Sequence, residues 1–287
     1  MRSAWLSSIG WRQSLLSFAV LAITVCGGFT PGAVRAAEYS LAIVPQFDAR
    51  KIESIWGPIA AAVKRDAGVT LVLQGNVSIP EFERQLYAGA FDFSYMNPYH
   101  FVRANRAQGY HARLRDFAQA LQGVLVVRQD SPIRSVAELD GRKIAMPAPN
   151  ALGAALIPRA EFSRKFRIKP VISYVKSHSS VYRSVVAGTV DAGGGVEHTL
   201  NAENDAIRSQ LRILYKTLEV PPHPLAVHPR VNPGVADQVV AAMLRFAATP
   251  EGAKLFAAIP MKKPGRASTE EYAPLEALGL DEFFVKN

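Results

Sequence analysis

Short apolar runs that alternate with amphipathic runs restrict the fold of this chain more than any other feature. Residues 39–44, 69–73 and 91–94 are apolar runs typical of buried strands, and the segments between them have helical spacing. Ser78 followed by Glu81 is a capping-box sequence that predicts the start of a helix. Strands that alternate with helices favour an α/β domain whose parallel sheet is covered on both faces.

A second block, between about residues 124 and 228, repeats this alternation. Ser135 and Glu138 form a second capping-box sequence, and helices are predicted from about Asn150 and from about Ser180. The strands predicted in this block are residues 124–127, 143–146, 171–175, 190–193, 212–216 and 225–228.

The chain is predicted to cross between two lobes near Gln122 and again near Pro221, where a proline-rich stretch interrupts the pattern. The first lobe would then combine residues 37–122 with residues 221–287, and the second lobe would be residues 123–220. Two crossings form a hinge, and ligands often bind where two domains meet. The sequence therefore predicts a two-lobed α/β fold with a binding cleft.

Residues 1–36 have the pattern of a secretory signal peptide. Arg2 and Arg12 make the start cationic, residues 15–25 are apolar, and small residues precede a cleavage position after Ala36. The apolar run is shorter than the roughly 20 residues that a membrane span requires, which argues against a retained anchor. We expect a soluble protein that is exported to the periplasm.

Cys26 is the only cysteine, and it lies within the predicted signal peptide. After cleavage the protein would have no disulfide, no thiol nucleophile and no thiolate metal ligand. Residues 23–27 also loosely resemble a lipobox, which would anchor the protein through Cys26. Val25 is larger than the small residue expected before a lipidated cysteine, so cleavage after Ala36 is the favoured interpretation.

The charge pattern favours a small anionic partner over a nucleic acid. The chain has 33 Lys and Arg against 24 Asp and Glu, and three of the Arg lie in the predicted signal peptide, which leaves a surplus of six. The basic residues are scattered rather than clustered in the short runs typical of nucleic-acid binding. We therefore expect a small anionic solute and no nucleic acid.

Motifs of common enzyme classes are absent from the sequence. It has no GxSxG, Walker, GxGxxG or HExxH motif, and the glycines at 193–195 lack the spacing of a nucleotide fingerprint. Asp48 and Glu197 are isolated carboxylates, which do not by themselves define an acid–base pair. We expect a binding protein without a cofactor rather than an enzyme.

Five segments follow one another along the chain: PQFDARKIESIWGPI, FDFSYMNPYHFVRA, VVRQDSPIRSVAELDGRKIAMPAPNALGAALIPR, SHSSVYRSVVAGTVDAG and VPPHPLAV. In this order and spacing they resemble the PhnD-like periplasmic binding proteins of phosphonate, phosphite and phosphate ABC transporters. The resemblance implies a type 2 periplasmic-binding-protein fold and delivery of solute to an inner-membrane ABC permease, and we expect a monomer. A sensory role beside a membrane histidine kinase is the alternative.

The resemblance also implies contacts between ligand and protein. In relatives, the segment that matches FSYMNPY brings aromatic and polar groups to the ligand, so Tyr95, Asn97 and Tyr99 are candidate contacts. Phe47, in the loop that matches PQFD, is a further aromatic candidate, and His178 matches a ligand contact of the phosphonate binders. Packing in the core is the alternative role of the aromatic residues, above all of Tyr99.

Other positions depart from the family pattern. Relatives that hold phosphonate usually have Ser-Thr-Ser before a Gly, whereas this chain has Ala151, Leu152 and Gly153. Backbone amides at a helix start bind anions, so the stretch could still bind an oxyanion with Asn150 as the cap. An ordinary capped helix with internally packed Ala and Leu is the alternative.

Histidines replace the two acidic residues that hold the ligand amine in aminophosphonate binders. These histidines are His198, next to Glu197, and His223. His178 stands at a helix start with Ser179, so that its imidazole and the nearby amides would face one oxyanion together. Neutral imidazoles bind Zn²⁺ or Cu²⁺, whereas partly protonated ones favour an anion. Because no His-x-x-x-His pair is present, we predict an anion and no metal.

Overall fold

The computed structural model describes residues 38–75 and 78–286. The predicted signal peptide, its cleavage site and Cys26 lie outside the described residues. Within the described ranges, no helix is both long enough and apolar enough to cross a membrane.

The described residues form strands and helices that alternate along most of their length, as the sequence predicts. The strands are β1 (Glu38–Ile43), β2 (Thr70–Gln74), β3 (Phe93–Tyr95), β4 (His111–Asp116), β5 (Leu121–Arg128), β6 (Lys143–Met146), β7 (Val171–Tyr174), β8 (Ala192–Val196), β9 (Leu211–Val220), β10 (Leu225–Val227) and β11 (Pro264–Arg266). The α-helices are α1 (Ala49–Ala67), α2 (Ile79–Tyr87), α3 (Pro98–Gln108), α4 (Ile157–Glu161), α5 (His178–Val186), α6 (Glu197–Asn201), α7 (Asp205–Arg208), α8 (Pro233–Ala247) and α9 (Pro250–Ala258).

Local side-chain chemistry sets the helix ends. Asp48 accepts a hydrogen bond of 2.9 Å from the Lys51 amide and caps α1, which ends at Gly68 with a φ of 68°. Ser78 accepts from the Glu81 amide and starts α2, so this predicted helix start is confirmed. These side chains bond to backbone amides at the start of the helix, which have no hydrogen-bond partner within the helix itself.

Two sheets divide the described residues into two lobes. The sheet of the first lobe has the order β11-β4-β10-β3-β1-β2, and that of the second lobe has the order β7-β6-β8-β5-β9. Helix α1 packs against α8 and α9 in the first lobe, and α5 packs against β8 and β5 in the second. The chain passes between the sheets within residues 117–120 and again within residues 221–224.

The prediction of parallel sheets is wrong in part, because both sheets are mixed. Strands β1, β2 and β3 are parallel, but β10 is antiparallel to β3 and β4. In the second sheet, β6 is parallel to β7 and β8, whereas β5 is antiparallel to β8 and β9. Strands β5 and β10 each follow a passage between lobes rather than a crossover helix, so they are free to run in the opposite direction.

Residues 270–286, here called the C-terminal strap, contact both lobes. On the first lobe, Arg106 pairs with Glu276 at 3.2 Å and with Asp281 at 2.9 Å. On the second lobe, Arg164 pairs with Glu282 at 2.7 Å. The strap therefore lies across the boundary between the two lobes.

Candidate functional site

A cavity of about 600 Å³ lies between the two sheets, beside both passages of the chain. The first lobe contributes Gln46 and Tyr95, which follow or end its strands. The second lobe contributes Glu197 and His198, from the start of α6. Side chains of both lobes thus face one space, as expected for a binding cleft.

A second, much smaller cavity adjoins the first and shares Gln46 and His223 with it. Its volume is about 20 Å³, which is space for about one water molecule. The polar groups in its wall also include Asn97 and His178. The remaining wall is made of Val44, Ile79, Leu121, Ala151, Leu152, Gly153, Ala154 and Val196.

His223 lies between the two cavities, in the passage that leads to β10. Its ring stacks on Tyr95 with the centroids 5.5 Å apart, and its Nε2 lies 2.9 Å from Nε2 of Gln46. Only 6% of its surface is exposed, and burial lowers its pKa to about 3. The Tyr95 hydroxyl donates a hydrogen bond of 2.8 Å to the Ile259 carbonyl. With its hydroxyl bonded in this way, Tyr95 presents its ring to the larger cavity, which it lines.

His178 is the first residue of α5 and lies in the wall of the small cavity. Its Nδ1 is 3.2 Å from the hydroxyl of Thr199, which also contacts Tyr182 and the carbonyl of Val196. Burial lowers the pKa of His178 to about 4. The ring is therefore held in one orientation and is neutral at neutral pH.

His198 connects the two lobes through its ring. Its ring packs edge to face with that of Phe47 of the first lobe, with the ring centroids 6.4 Å apart. Its Nε2 is buried and has no hydrogen-bond partner among the described residues. Burial also lowers the pKa of His198.

The charged groups at the larger cavity are carboxylates and a lysine rather than imidazolium ions. Glu197 pairs with Lys216 at 2.8 Å, while Glu219 and Lys262 lie at the exposed edge. The three cleft histidines are neutral, so the inner part of the cleft has hydrogen-bonding groups without net charge. Within residues 38–75 and 78–286, no group of three His, Cys, Asp or Glu is arranged to hold a metal ion.

Tyr99 and Ser179 lie outside the walls of the two cavities described here. Tyr99 packs beside Phe284 of the C-terminal strap, with the ring centroids 6.1 Å apart, and Asp281 lies near its hydroxyl. The Ser179 hydroxyl donates to the carboxylate of Glu203. Of the other candidates, Phe47 reaches the cleft through its contact with His198.

Asn150 is not a helix cap, which corrects the sequence-based expectation. The helix starts after Ala151 with a π-helical turn, Leu152–Leu156, and without a side-chain cap. The Asn150 amide instead donates to Glu83 at 2.9 Å and to the Val285 carbonyl at 2.8 Å. Its carbonyl accepts from the amide of Asn97, so Asn150 ties the lobes together at the back of the small cavity.

The start of this helix packs tightly against the second lobe's first strand. A Cβ atom at Gly123 would lie 2.0 Å from the Gly153 carbonyl oxygen, so only glycine fits there. Ala151, Leu152 and Gly153 form one wall of the small cavity and contribute no hydroxyl group. At this wall, hydrogen bonds to an anion would come from backbone amides.

The sequence reasoning missed several groups in the cavity wall. Gln46 contacts His223 directly, and it stands next to Phe47 in a segment already singled out. Gln119 and Gln122 also line the larger cavity. Both lie at the predicted passage between lobes, and ligands bind at such places, so this signal was available in the sequence.

Comparison with known proteins gives one family and many related structures. The family described as "ABC transporter, phosphonate, periplasmic substrate-binding protein" matches residues 41–272. No curated protein matches the sequence. A binding component of an ABC phosphonate transporter from Pseudomonas aeruginosa has a TM-score of 0.73 at 16% identity, covering 86% of this chain and 87% of that chain.

Two further structures are similar at the level of the fold. PhnD1 from Prochlorococcus marinus, in complex with methylphosphonate, has a TM-score of 0.76 at 13% identity and covers 85% of this chain and 98% of that chain. A Xanthomonas citri protein bound to ATP has a TM-score of 0.68 at 17% identity and covers 86% and 98%. The predicted two-lobed type 2 periplasmic-binding-protein fold, with its hinge of two crossings, is confirmed.

Proposed function

Because this chain belongs to the family of periplasmic substrate-binding proteins of phosphonate ABC transporters, we propose that it captures a small oxyanion of the phosphonate or phosphite class and delivers it to an inner-membrane ABC permease. Members of this family act outside the cytoplasm and bind their substrate without converting it, so the protein is not an enzyme. The observation that carries the proposal is the cavity of about 600 Å³ between the lobes, with the buried imidazole of His223 and the side-chain amides of Gln46 and Gln122 in its wall.

The proposed lobes are residues 37–122 with 221–287, and residues 123–220. The strands of each sheet fall within these ranges except that β5 begins at Leu121. We also propose that residues 1–36 direct export, with release after Ala36 rather than lipidation at Cys26, and that the protein acts as a monomer. The family match gives no support to the sensory alternative.

The proposed ligand contacts are the candidates that reach the cavities. In the first lobe these are Tyr95, Asn97 and His223, with Phe47 at the edge. In the second lobe they are Ala151, Leu152, Gly153, His178, Glu197 and His198. We assign Tyr99, Asn150 and Ser179 an indirect role, since they lie outside the walls of both cavities.

A thermal-shift screen of the exported, purified protein tests this function. The panel is phosphate, phosphite, methylphosphonate, sulfite, arsenate, Zn²⁺ and Cu²⁺. An oxyanion at about 100 times its Kd should stabilise the protein by about 2.7 kcal/mol. His178→Ala should weaken the response to the best anion, while His111→Ala, at an exposed position of β4, should leave it unchanged. A response to the metals alone would contradict the proposed ligand class.

A further inference from the structure

The hydroxyl of Thr199 determines which nitrogen of His178 carries the proton. Among the described residues, its Oγ1 lies 2.7 Å from the Tyr182 hydroxyl, 2.9 Å from the Val196 carbonyl and 3.2 Å from Nδ1 of His178. The Tyr182 hydroxyl also lies 3.2 Å from the Val196 carbonyl, so either hydroxyl can donate to that carbonyl. Tyr182 and Thr199 have one hydroxyl proton each, and their mutual contact uses one while the carbonyl takes the other. The contact with His178 therefore needs a proton from the ring itself.

A proton on Nδ1 of His178 leaves Nε2 as a hydrogen-bond acceptor, because the buried imidazole is neutral. His178 lies in the wall of the small cavity, which Leu152 and Val196 also line. The acceptor therefore lies where the ligand is proposed to bind. A ligand oxygen atom without a proton would be repelled by this nitrogen, because each atom would present a lone pair to the other.

His198 offers a second open position in the same lobe. Its Nε2 is buried and has no hydrogen-bond partner among the residues that the structure describes. A buried polar atom without a partner is unfavourable, so a ligand group that bonds to it gains affinity. A neutral imidazole has one nitrogen that accepts, and in His198 the open nitrogen can take this role.

His223 shows the same proton position. Its Nε2 lies 2.9 Å from the amide nitrogen of Gln46, which can only donate. In this ring the acceptor is already satisfied by the protein, whereas those of His178 and His198 remain available to a ligand. Two such acceptors, from α5 and α6 of one lobe, thus favour hydrogen-bond donors.

We propose that the site selects an oxyanion in its protonated form, which donates its O–H group to Nε2 of His178 or His198, over an oxyanion of similar shape without a proton. The inference rests on the proposed capture of an oxyanion and specifies its protonation state. The selecting element is the hydrogen bond between Thr199 and His178, since it keeps the proton on Nδ1.

Isothermal titration with matched anions tests the inference. Monoprotonated methylphosphonate and methanesulfonate have the same shape and the same charge, but only the phosphonate has an O–H group. Phosphate and sulfate form a second pair without the methyl group. Sites built to bond a hydroxyl reject the analogue that lacks it strongly, so we expect binding at least about 100-fold tighter for the phosphorus member of a pair.

Thr199→Val removes the acceptor that fixes the proton on Nδ1, which allows the His178 ring to present a donor instead. In this variant we expect the preference for the phosphorus anion over the sulfur anion to be at least about tenfold smaller, since the two tautomers of the ring then compete. Thr217→Val is the matched control, because Thr217 is also buried but bonds to Gly123 and Leu218. Its preference should equal that of the unmodified protein.

The outcomes separate this inference from the proposed function. Equal or tighter binding of the sulfonate or sulfate would overturn the selection of a protonated form and leave oxyanion capture intact. An unchanged preference in Thr199→Val would overturn the role of the His178 proton. Binding of no anion from either pair or from the screening panel would overturn both proposals.

Discussion

The side-chain amide of Asn150 donates a hydrogen bond of 2.9 Å to the buried carboxylate of Glu83. The bond joins the second lobe to α2 of the first lobe, and the other carboxylate oxygen of Glu83 lies 2.8 Å from Nε2 of His100. Asn150 also accepts from the Val285 amide of the C-terminal strap. One side chain thus ties three parts of the protein together behind the cleft.

Asn150→Ala should lower the free energy of unfolding by about 1–3 kcal/mol, because the buried Glu83 carboxylate and the Val285 backbone lose hydrogen-bond partners. Urea denaturation followed by circular dichroism measures the change. Asn201→Ala is the control, since Asn201 is exposed at the edge of the larger cavity and should change stability by less than about 0.5 kcal/mol. Equal effects of the two substitutions would contradict the proposed stabilising role of the Asn150 hydrogen bonds.

The C-terminal strap should restrict opening of the cleft. Arg164 donates to the carbonyls of Leu278 and Gly279 and pairs with Glu282, so opening must separate the strap from one of the lobes. Because these groups are partly exposed, Arg164→Ala should favour the open form by only about 1 kcal/mol. Small-angle X-ray scattering of the unliganded protein should show a larger radius of gyration.

Arg208→Ala is the control for this measurement. Arg208 forms an ion pair with Asp205 in its own helix, α7, far along the chain from the strap. Its removal should leave the radius of gyration unchanged. An identical scattering curve for Arg164→Ala and the unmodified protein would show that the strap does not control opening.

Local sequence signals predicted the elements whose ends are set by nearby residues. Strand β6 has the predicted bounds 143–146, and α1 ends at Gly68, where a left-handed backbone conformation favours glycine. Helix α3 was missed, although Asn97 caps it and Pro98 begins it. The aromatic residues of this segment are as typical of ligand contact as of helix packing, so they do not by themselves indicate a helix.

The direction of β5 and β10 and the role of Asn150 depend on contacts between distant parts of the chain. Asn150 is 67 positions from Glu83 and 135 from Val285, so no local pattern indicates that its amide is already bonded. The same holds for Thr199, which fixes the ring of His178 from 21 positions away. The family resemblance indicated the three histidines, but their proton positions depend on tertiary contacts between distant residues.

Gly123→Ala should disrupt the second lobe. The added Cβ would lie 2.0 Å from the Gly153 carbonyl oxygen and 2.7 Å from its carbon, both of which are backbone atoms with little freedom to move. We expect a loss of about 1–3 kcal/mol in unfolding free energy, as for other overpacked sites. Gly75→Ala is the control, because no atom lies within 4 Å of its added Cβ. Equal stability of both variants would contradict the close approach.

Stability should fall on acidification because the cleft histidines are buried in their neutral form. The pKa of His178 is lowered from 6.5 to about 4 in the folded protein, so between these values the unfolded chain binds more protons than the folded one. The stabilisation is fully present above about pH 6.5 and is lost as the pH falls towards 4. For this one histidine the loss amounts to about 3 kcal/mol.

His178→Gln should therefore flatten the pH dependence of stability between pH 7 and pH 4.5, since glutamine does not titrate. Urea midpoints measured across this range, for the variant and the unmodified protein, give the difference directly. His111→Gln is the control, because His111 is exposed at the start of β4. If the curves of His178→Gln and the unmodified protein ran parallel down to pH 4.5, the imidazole of His178 would not be held neutral by burial, and its Nε2 would no longer be assured as an acceptor for the ligand.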